Sequence, residues 1–214
     1  MKTKFLTQLF VLGAMAVLAL PSLAWADGHD MGNGAQQCPV GLVSGMTLDQ
    51  EFGPGAQQMT RCIVKRHHVR VMFQINRFCD NSTVDNATMS PFNSTCTAPY
   101  ALGQMANVIK DYEITEGMKP SDFKMIAVAY GKGGFLLLKN NPFQAQVEAL
   151  MKDGVHFYFC QNTARGFMKA GLLPNYQTTG TPAADGLISG VTYVTAGISA
   201  VLDFQALGYQ NVAP

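Results

Sequence analysis

Hydrophobic and polar residues follow two different periods along the chain. Runs rich in Val, Ile and Phe over 69–76, 124–130, 155–160 and 191–194 predict buried strands. Apolar residues spaced three or four positions apart predict helices over 100–114, 141–151, 161–170 and 197–207, before a short final strand over 209–213. Alternation of strands and helices indicates a three-layer α/β/α domain with an open, mainly parallel sheet of about five strands.

The strand predicted over 155–160 ends in Cys160, and the polar residues 161–165 then open a helix. In such a strand Phe157 and Phe159 point to one face of the sheet, and Cys160 points to the other. A thiol at this junction faces unpaired backbone N–H groups and the positive end of the helix dipole, which lower its pKa. The alternative is a small buried core residue, because free Cys is among the most buried residue types.

Residues 1–26 have the three parts of a secretory signal peptide. Lys2 and Lys4 give a charged start, 5–20 is uncharged and apolar, and Ala24-x-Ala26 is a typical cleavage site. The apolar part is shorter than the ~20 residues that a bilayer span needs. We therefore expect cleavage after Ala26 and a periplasmic or secreted protein that is not attached to a membrane after the signal is removed.

The remaining 188 residues carry 13 basic and 14 acidic side chains, a net charge of −1. This balance gives no electrostatic reason to expect nucleic acid or an acidic membrane surface as a partner. We interpret 27–66 as a flexible tail and N-terminal arm and 67–214 as the α/β domain. If the signal is removed, the Asp27-Gly28-His29 terminus could hold Cu(II) or Ni(II) in a plane of four nitrogens, including the His29 imidazole. An unstructured tail without a metal is the alternative.

Five cysteines would enter an oxidising compartment, where disulfides persist. Because the number is odd, at least one thiol has no partner within the chain. Of the three ways to pair Cys38, Cys62, Cys79 and Cys96, the most local joins 38 to 62 and 79 to 96. Cys160 is then left over, and odd cysteines in exported proteins are either reactive or paired between chains.

The glycine-rich stretch 131–134 follows the second predicted strand. It lacks the spacing of a nucleotide P-loop and of the dinucleotide fingerprint, so no cofactor is predicted. We interpret it as a flexible turn that can accommodate an anion. In open parallel sheets, ligands bind at the carboxyl ends of the strands. We expect this turn, the loop after the first strand and Cys160 to meet at that edge.

Four stretches of sequence resemble the DsrE/DsrF-like family: VMFQIN, IAVAYGKGGFLLL, NPFQAQVEALMKDGVHFYFCQNTARGF and VTYVTAGISAVLDFQALGYQNVAP. The resemblance extends from about Met46 to the C-terminus. It implies a small α/β protein with a parallel sheet that assembles into a homotrimer or homohexamer. From the sulfur-relay branch of the family it implies that Cys160 takes up a sulfane sulfur, with the Tyr130-Gly131-Lys132-Gly133 turn beside it.

Our functional hypothesis is that the Cys160 thiolate attacks a sulfane sulfur donor, such as polysulfide or thiosulfate. It would hold the sulfur as a persulfide until an acceptor thiol, on a small molecule or a protein, removes it. Substrate binding would involve Tyr130, Gly131, Gly133, Asn162 and Arg165, unless Arg165 is only a solvated surface residue. The alternative function is a non-catalytic oligomeric binding or assembly subunit in which Cys160 is buried and inert.

Overall fold

The computed structural model of the protein describes residues 42, 44–60, 68–79 and 99–214. These residues belong to one compact unit, Gln36–Pro214. The predicted signal peptide, the Asp27-Gly28-His29 terminus and the three cysteines Cys38, Cys62 and Cys96 lie outside the described residues. The predictions made for them therefore stay predictions.

One open sheet forms the centre of the domain, with strand order β4-β3-β2-β1-β5. Its strands are β1 (Val69–Ile75), β2 (Phe123–Ala129), β3 (His156–Cys160), β4 (Thr192–Val194) and β5 (Gln210–Val212). All four strand pairings are parallel. Every residue of the central strand β2 except Lys124 is buried, as expected for a parallel strand covered on both faces. The predicted α/β fold with about five strands is confirmed.

The described helices are α1 (Leu48–Phe52), α2 (Ala56–Met59), α3 (Tyr100–Lys110), α4 (Gln144–Lys152), α5 (Gln161–Lys169), α6 (Tyr176–Thr179) and α7 (Gly197–Ala206). A π-helical turn, Asp111–Thr115, extends α3, and short 3-10 helices span Pro120–Asp122, Gly131–Leu137 and Ala183–Gly186. In the part of the chain that the structure describes, none of these helices has the length and apolar character needed to cross a bilayer.

The two faces of the sheet bury different sets of side chains. Phe73, Phe157 and Phe159 lie in a large core with residues of α3, α4 and α5. On the opposite face, strand residues such as Val128 form a smaller core with Val201 of α7. Helices on both faces of the sheet make the three layers. Because side chains alternate along β3, Cys160 points to the α7 side.

Candidate active site around Cys160

Cys160 is the last residue of β3 and immediately precedes α5, as the sequence predicts. It pairs in register with Val194 of β4, while its neighbour Phe159 pairs with Ala129 at the end of β2. The thiol therefore lies at the carboxyl edge of the sheet. Loops leave several parallel strands at this edge, and it is here that open sheets of this kind bind their ligands.

Cys160 is a free cysteine. Cys79, at the end of the segment that follows β1, is disulfide-bonded, and its partner lies outside the described residues. Its pairing with Cys96 therefore stays a prediction. Within the chain Cys160 has no disulfide partner, as the odd number of cysteines predicts.

The starts of two helices face the Cys160 sulfur. The backbone N–H of Gly197, the first residue of α7, donates a hydrogen bond of 3.2 Å to Sγ. At the start of α5, the N–H groups of Asn162 and Thr163 and the Thr163 hydroxyl also act on the sulfur. The sulfur thus lies among hydrogen-bond donors from both helices.

These donors set the ionisation of the thiol. Burial, the largest single effect, raises the pKa of Cys160, but the hydrogen bonds from Thr163, Gly197 and Asn162 together lower it by more. The net pKa of Cys160 is below its ordinary value. Hydrogen bonds to the charged form favour that form, so the site stabilises a thiolate.

Only 4% of Cys160 is exposed, so the thiol is buried. The two interpretations drawn from the sequence, an activated thiol and a buried residue, therefore describe the same side chain. Burial follows from the chain topology, since Cys160 points toward α7 and the start of that helix contacts its sulfur. The site combines a low pKa with restricted access.

Thr163 connects the site to the glycine-rich turn after β2. Its Oγ1 accepts a hydrogen bond of 2.8 Å from the backbone N–H of Gly131. Burial is the largest single effect on the pKa of the Cys160 thiol and raises it. The hydroxyl and the backbone N–H of Thr163 both lower that pKa. Thr163 therefore holds the turn and the sulfur in a fixed relation to each other.

The glycine-rich turn is not the flexible anion-accommodating loop that the sequence suggests. It forms a 3-10 helix in which Gly133 and Gly134 are buried. A Cβ added at Gly133 would lie 2.6 Å from the carbonyl carbon of Ile75, and one at Gly134 would lie 2.5 Å from Cε2 of Phe159. The glycines thus allow close packing against β1 and β3. Gly133 therefore has a packing role, and its substrate-binding role stays a prediction.

Tyr130 is engaged in packing and hydrogen bonding within the protein. A Cβ added at Gly197 would lie 2.8 Å from Cβ and Cγ of Tyr130, so the ring lies directly against the start of α7. The Tyr130 hydroxyl accepts a hydrogen bond from Nε2 of Gln74, and Oε1 of Gln74 accepts one of 3.0 Å from Nδ2 of Asn211. Tyr130 therefore positions Gly197, which in turn donates to the sulfur.

Asn162 and Arg165 are exposed on α5, and Nη1 of Arg165 donates a hydrogen bond of 2.6 Å to Oδ1 of Asn162. Asn162 acts on Cys160 through its backbone N–H. No described residue forms an ion pair with Arg165, so its charge is available at the surface. Anion binding by these two side chains stays a prediction.

Sequence reasoning missed three residues of the site: Thr163, Gly197 and Gln74. Thr163 could have been found, because a residue three positions after a helix cap commonly exchanges hydrogen bonds with that cap. Gly197 is distant from Cys160 in the sequence, and no local pattern links the two. Gln74 belongs to the site because it donates a hydrogen bond to the Tyr130 hydroxyl, and these two residues are also distant in sequence.

No protein-family model matches the chain, and no curated protein does. The chain is similar to a solved structure of a protein of unknown function from Methanobacterium thermoautotrophicum. That likeness has a TM-score of 0.46 and 22% sequence identity, and covers 68% of this chain and 99% of the other.

Proposed function

We propose that the protein is a sulfur carrier that holds a sulfane sulfur as a persulfide on Cys160. The observation that supports this proposal most is a free thiol surrounded by hydrogen-bond donors from the starts of α5 and α7. Such donors favour a thiolate, the form of cysteine that attacks sulfur. The resemblance of the sequence to the DsrE/DsrF-like family favours the same function.

In the loading step, the Cys160 thiolate attacks the outer sulfur of a donor R–S–SH. A new S–S bond forms, the bond between the two donor sulfurs breaks, and the donor leaves as the thiolate RS⁻. With thiosulfate, the same attack gives Cys160–S–S⁻ and releases sulfite. In the unloading step, an acceptor thiolate attacks the outer sulfur, and the Cys160 thiolate leaves.

Burial of Cys160 restricts which molecules can react with it. Only 4% of Cys160 is exposed and the start of α7 contacts its sulfur, so we propose that a large donor reacts only after the start of α7 moves away from the site. The same cover would shield a stored persulfide from thiols in solution. We therefore propose small sulfur compounds as donors, and transfer to the acceptor from an opened form of the site.

The second candidate function is a non-catalytic oligomeric binding or assembly subunit. The small exposure of Cys160 favours it, because free cysteines are commonly inert core residues. In that case the low pKa of the thiol would have no chemical consequence. The two candidates differ in whether Cys160 gains sulfur.

Mass spectrometry of the intact protein after exposure to polysulfide tests the proposal. A sulfur carrier gains the mass of one sulfur atom on Cys160 and loses it when a small thiol is added. The Cys160→Ser variant controls for sulfur taken up elsewhere. If the protein gains no sulfur on Cys160 after long exposure, the non-catalytic subunit is the correct function.

We also propose that the protein is exported and forms a homotrimer or homohexamer. On α7, Ile198 and Leu202 are 55% and 61% exposed and lie one turn apart, so they present a small apolar face. Light scattering of the purified protein would measure its mass in solution. N-terminal sequencing of protein recovered outside the cytoplasm would test cleavage after Ala26.

A further inference from the structure

The chain before β1 forms an arm, residues 44–60, that contains α1 and α2. Neither helix buries a residue, and Phe52 and Met59 are 68% and 85% exposed. Oδ1 of Asp49 accepts a hydrogen bond of 2.8 Å from the Gln57 N–H, which joins the two helices. Helices as short as these are not stable on their own, because helical stability in proteins comes mostly from packing of an apolar side. The arm therefore needs a surface that covers Phe52 and Met59.

α7 has an apolar surface that the single chain leaves uncovered. Its inner side packs on the smaller core, whereas three large apolar residues on its outer side and at its end are each more than half exposed: Ile198, Leu202 and Leu207. We call these three residues the α7 face. Asp203 is the one charged residue of the helix. An exposed apolar cluster of this kind is typical of a protein–protein interface.

The charged residues at the end of α7 are opposite in sign to those of the arm. Nη1 of Arg70 donates a hydrogen bond of 2.5 Å to the carbonyl oxygen of Leu207, so Arg70 lies at the end of the α7 face. Lys124 pairs in register with Arg70, which places both exposed side chains on the same face of the sheet. The arm contains two acidic residues, Asp49 and Glu51, and no basic one.

The arm joins the domain at the edge of the sheet where α7 ends. Residues 61–67 connect it to β1, which begins at Val69, and the next residue, Arg70, contacts the end of α7. A connection of this length spans at most about 25 Å. The arm is thus held within reach of a copy of the chain that packs beside the end of α7.

We infer that the arm of each chain packs onto the α7 face of a second copy. Phe52 and Met59 contact Ile198 and Leu202, and the acidic side chains of α1 face the two cations at the end of α7. One surface of each chain meets a different surface of the next, and contacts of this kind can close into a ring. The inference rests on the proposed homo-oligomer and names the segment that holds it together.

Light scattering over a range of protein concentrations tests the apolar contact. Phe52→Ser and Leu202→Ser should each raise the dissociation constant of the oligomer at least about tenfold. Combined, they should weaken assembly by less than the product of the two factors, because both act on the same contact. The control is Tyr176→Ser on α6, which changes a side chain about as exposed as Phe52 and should leave the dissociation constant unchanged.

Lys124→Glu tests the charges. It places a carboxylate opposite the acidic residues of the arm, so it should weaken assembly about tenfold. Lys110→Glu makes the same change at an exposed position of α3 and should have no effect. Equal weakening in the two variants would reduce the effect to net charge and contradict the inference.

The outcomes separate this inference from the other proposals. If the natural protein is an oligomer and Phe52→Ser assembles equally well, the inference is wrong and the proposed oligomer stands. If Phe52→Ser lowers the free energy of unfolding and leaves the mass unchanged, the arm packs on its own chain, which also overturns the inference. A natural protein that stays a single chain would overturn both. Phe52→Ser should still gain sulfur on Cys160, so sulfur loading is tested separately.

Discussion

At the scale of single residues, the ionisation of Cys160 is decided by hydrogen bonds that outweigh burial. Burial alone would hold the thiol neutral, as in an inert core cysteine. The donors from Thr163, Gly197 and Asn162 reverse that effect and lower the pKa of the thiol. Among the described residues, no side-chain cation contributes to this lowering. The stabilisation is therefore short-range, and the pKa of Cys160 should respond little to added salt.

Substitution of Thr163 tests the contribution of its hydroxyl. Thr163→Val keeps the shape of the side chain but removes the hydroxyl that acts on Cys160 and accepts from Gly131. We expect a higher pKa of Cys160 and a loss of about 1 kcal/mol in the free energy of unfolding. The pH dependence of thiolate absorbance and a urea titration would measure the two effects.

The matched control is Thr163→Ser, which keeps the hydroxyl and loses a methyl group. It should retain the low pKa of Cys160. If Thr163→Val and Thr163→Ser gave the same pKa, the hydroxyl would have no part in ionisation.

The sequence around Cys160 predicts the part of the site that residues close to it in the chain form. The end of an apolar strand followed by polar residues places Cys160 before α5, and the resulting helix start explains part of its low pKa. The contribution of Gly197 could not be predicted, because it depends on how α7 packs on the sheet. The burial of Cys160 has the same origin, since it results from contact with residues distant in sequence.

At the scale of elements, the start of α7 is held between Tyr130 and the Cys160 sulfur. Its first residue must be glycine, because a Cβ there would lie 2.8 Å from three atoms of Tyr130. Tyr130 is in turn fixed through Gln74 on β1 and Asn211 on β5. Tyr130, directly after β2, thus links α7, β1 and β5 to the thiol.

Gly197→Ala should displace the start of α7. The added methyl group meets the Tyr130 ring, so we expect the free energy of unfolding to fall by about 1–3 kcal/mol. The Gly197 N–H would move away from Sγ, and the pKa of Cys160 should rise. Urea unfolding and the pH dependence of thiolate absorbance would measure these changes.

Gly166→Ala is the control for Gly197→Ala. Gly166 lies within α5, and a Cβ there would meet no atom within 4 Å. This substitution should stabilise the protein by up to about 1 kcal/mol through helix propensity and leave the pKa of Cys160 unchanged. A normal thiol pKa in Gly197→Ala together with a low one in Gly166→Ala would support the account; unchanged pKa values in both would contradict it.

Opening of α7 should control access to Cys160. Val201 of α7 is 5% exposed in the small core, and its truncation to Ala should cost about 2 kcal/mol. If an alkylating reagent reaches Cys160 only when α7 detaches, Val201→Ala should speed alkylation of Cys160 by about 30-fold at fixed pH.

Val147→Ala provides the comparison, because Val147 is fully buried in the large core on the other face. It should cost a similar free energy of unfolding without a similar rise in labelling rate. Equal acceleration in the two variants would mean that Cys160 is labelled through global unfolding and not through movement of α7.

Most of the sheet and of the longer helices follow from periodicity. The strands and the main helices lie where the apolar pattern predicts them, within a few residues. The glycine-rich turn was misinterpreted because its glycines serve close packing, which depends on Ile75 and Phe159 from other strands. The segment 171–190, for which the apolar pattern predicts no strand or helix, contains α6, whose start is capped by Oδ1 of Asn175 accepting from the Gln177 N–H.

At the scale of the whole molecule, ionisation of Cys160 is linked to folding. The pKa of Cys160 is lower in the folded protein than in the unfolded chain, so the unfolded chain binds more protons between the two pKa values. The resulting stabilisation is complete above the unfolded pKa and is lost as the pH falls through the folded pKa. Folding therefore favours the thiolate at pH values between the folded and the unfolded pKa of Cys160.

Comparison with Cys160→Ser tests this linkage, because serine does not ionise in the same range. The free energy of unfolding of the natural protein, relative to that of Cys160→Ser, should rise with pH between the folded and unfolded pKa values and then level off. Urea titrations at a series of pH values would measure it. A difference that stays constant with pH would show that the folded thiol has an ordinary pKa.

The most direct test of the central claim is the thiolate absorbance of the folded protein as a function of pH, taken as the difference from the Cys160→Ser variant. The account predicts a single transition with its midpoint below that of an ordinary cysteine, although the thiol is buried. A midpoint at or above the ordinary value would contradict it, because burial would then outweigh the donors of α5 and α7.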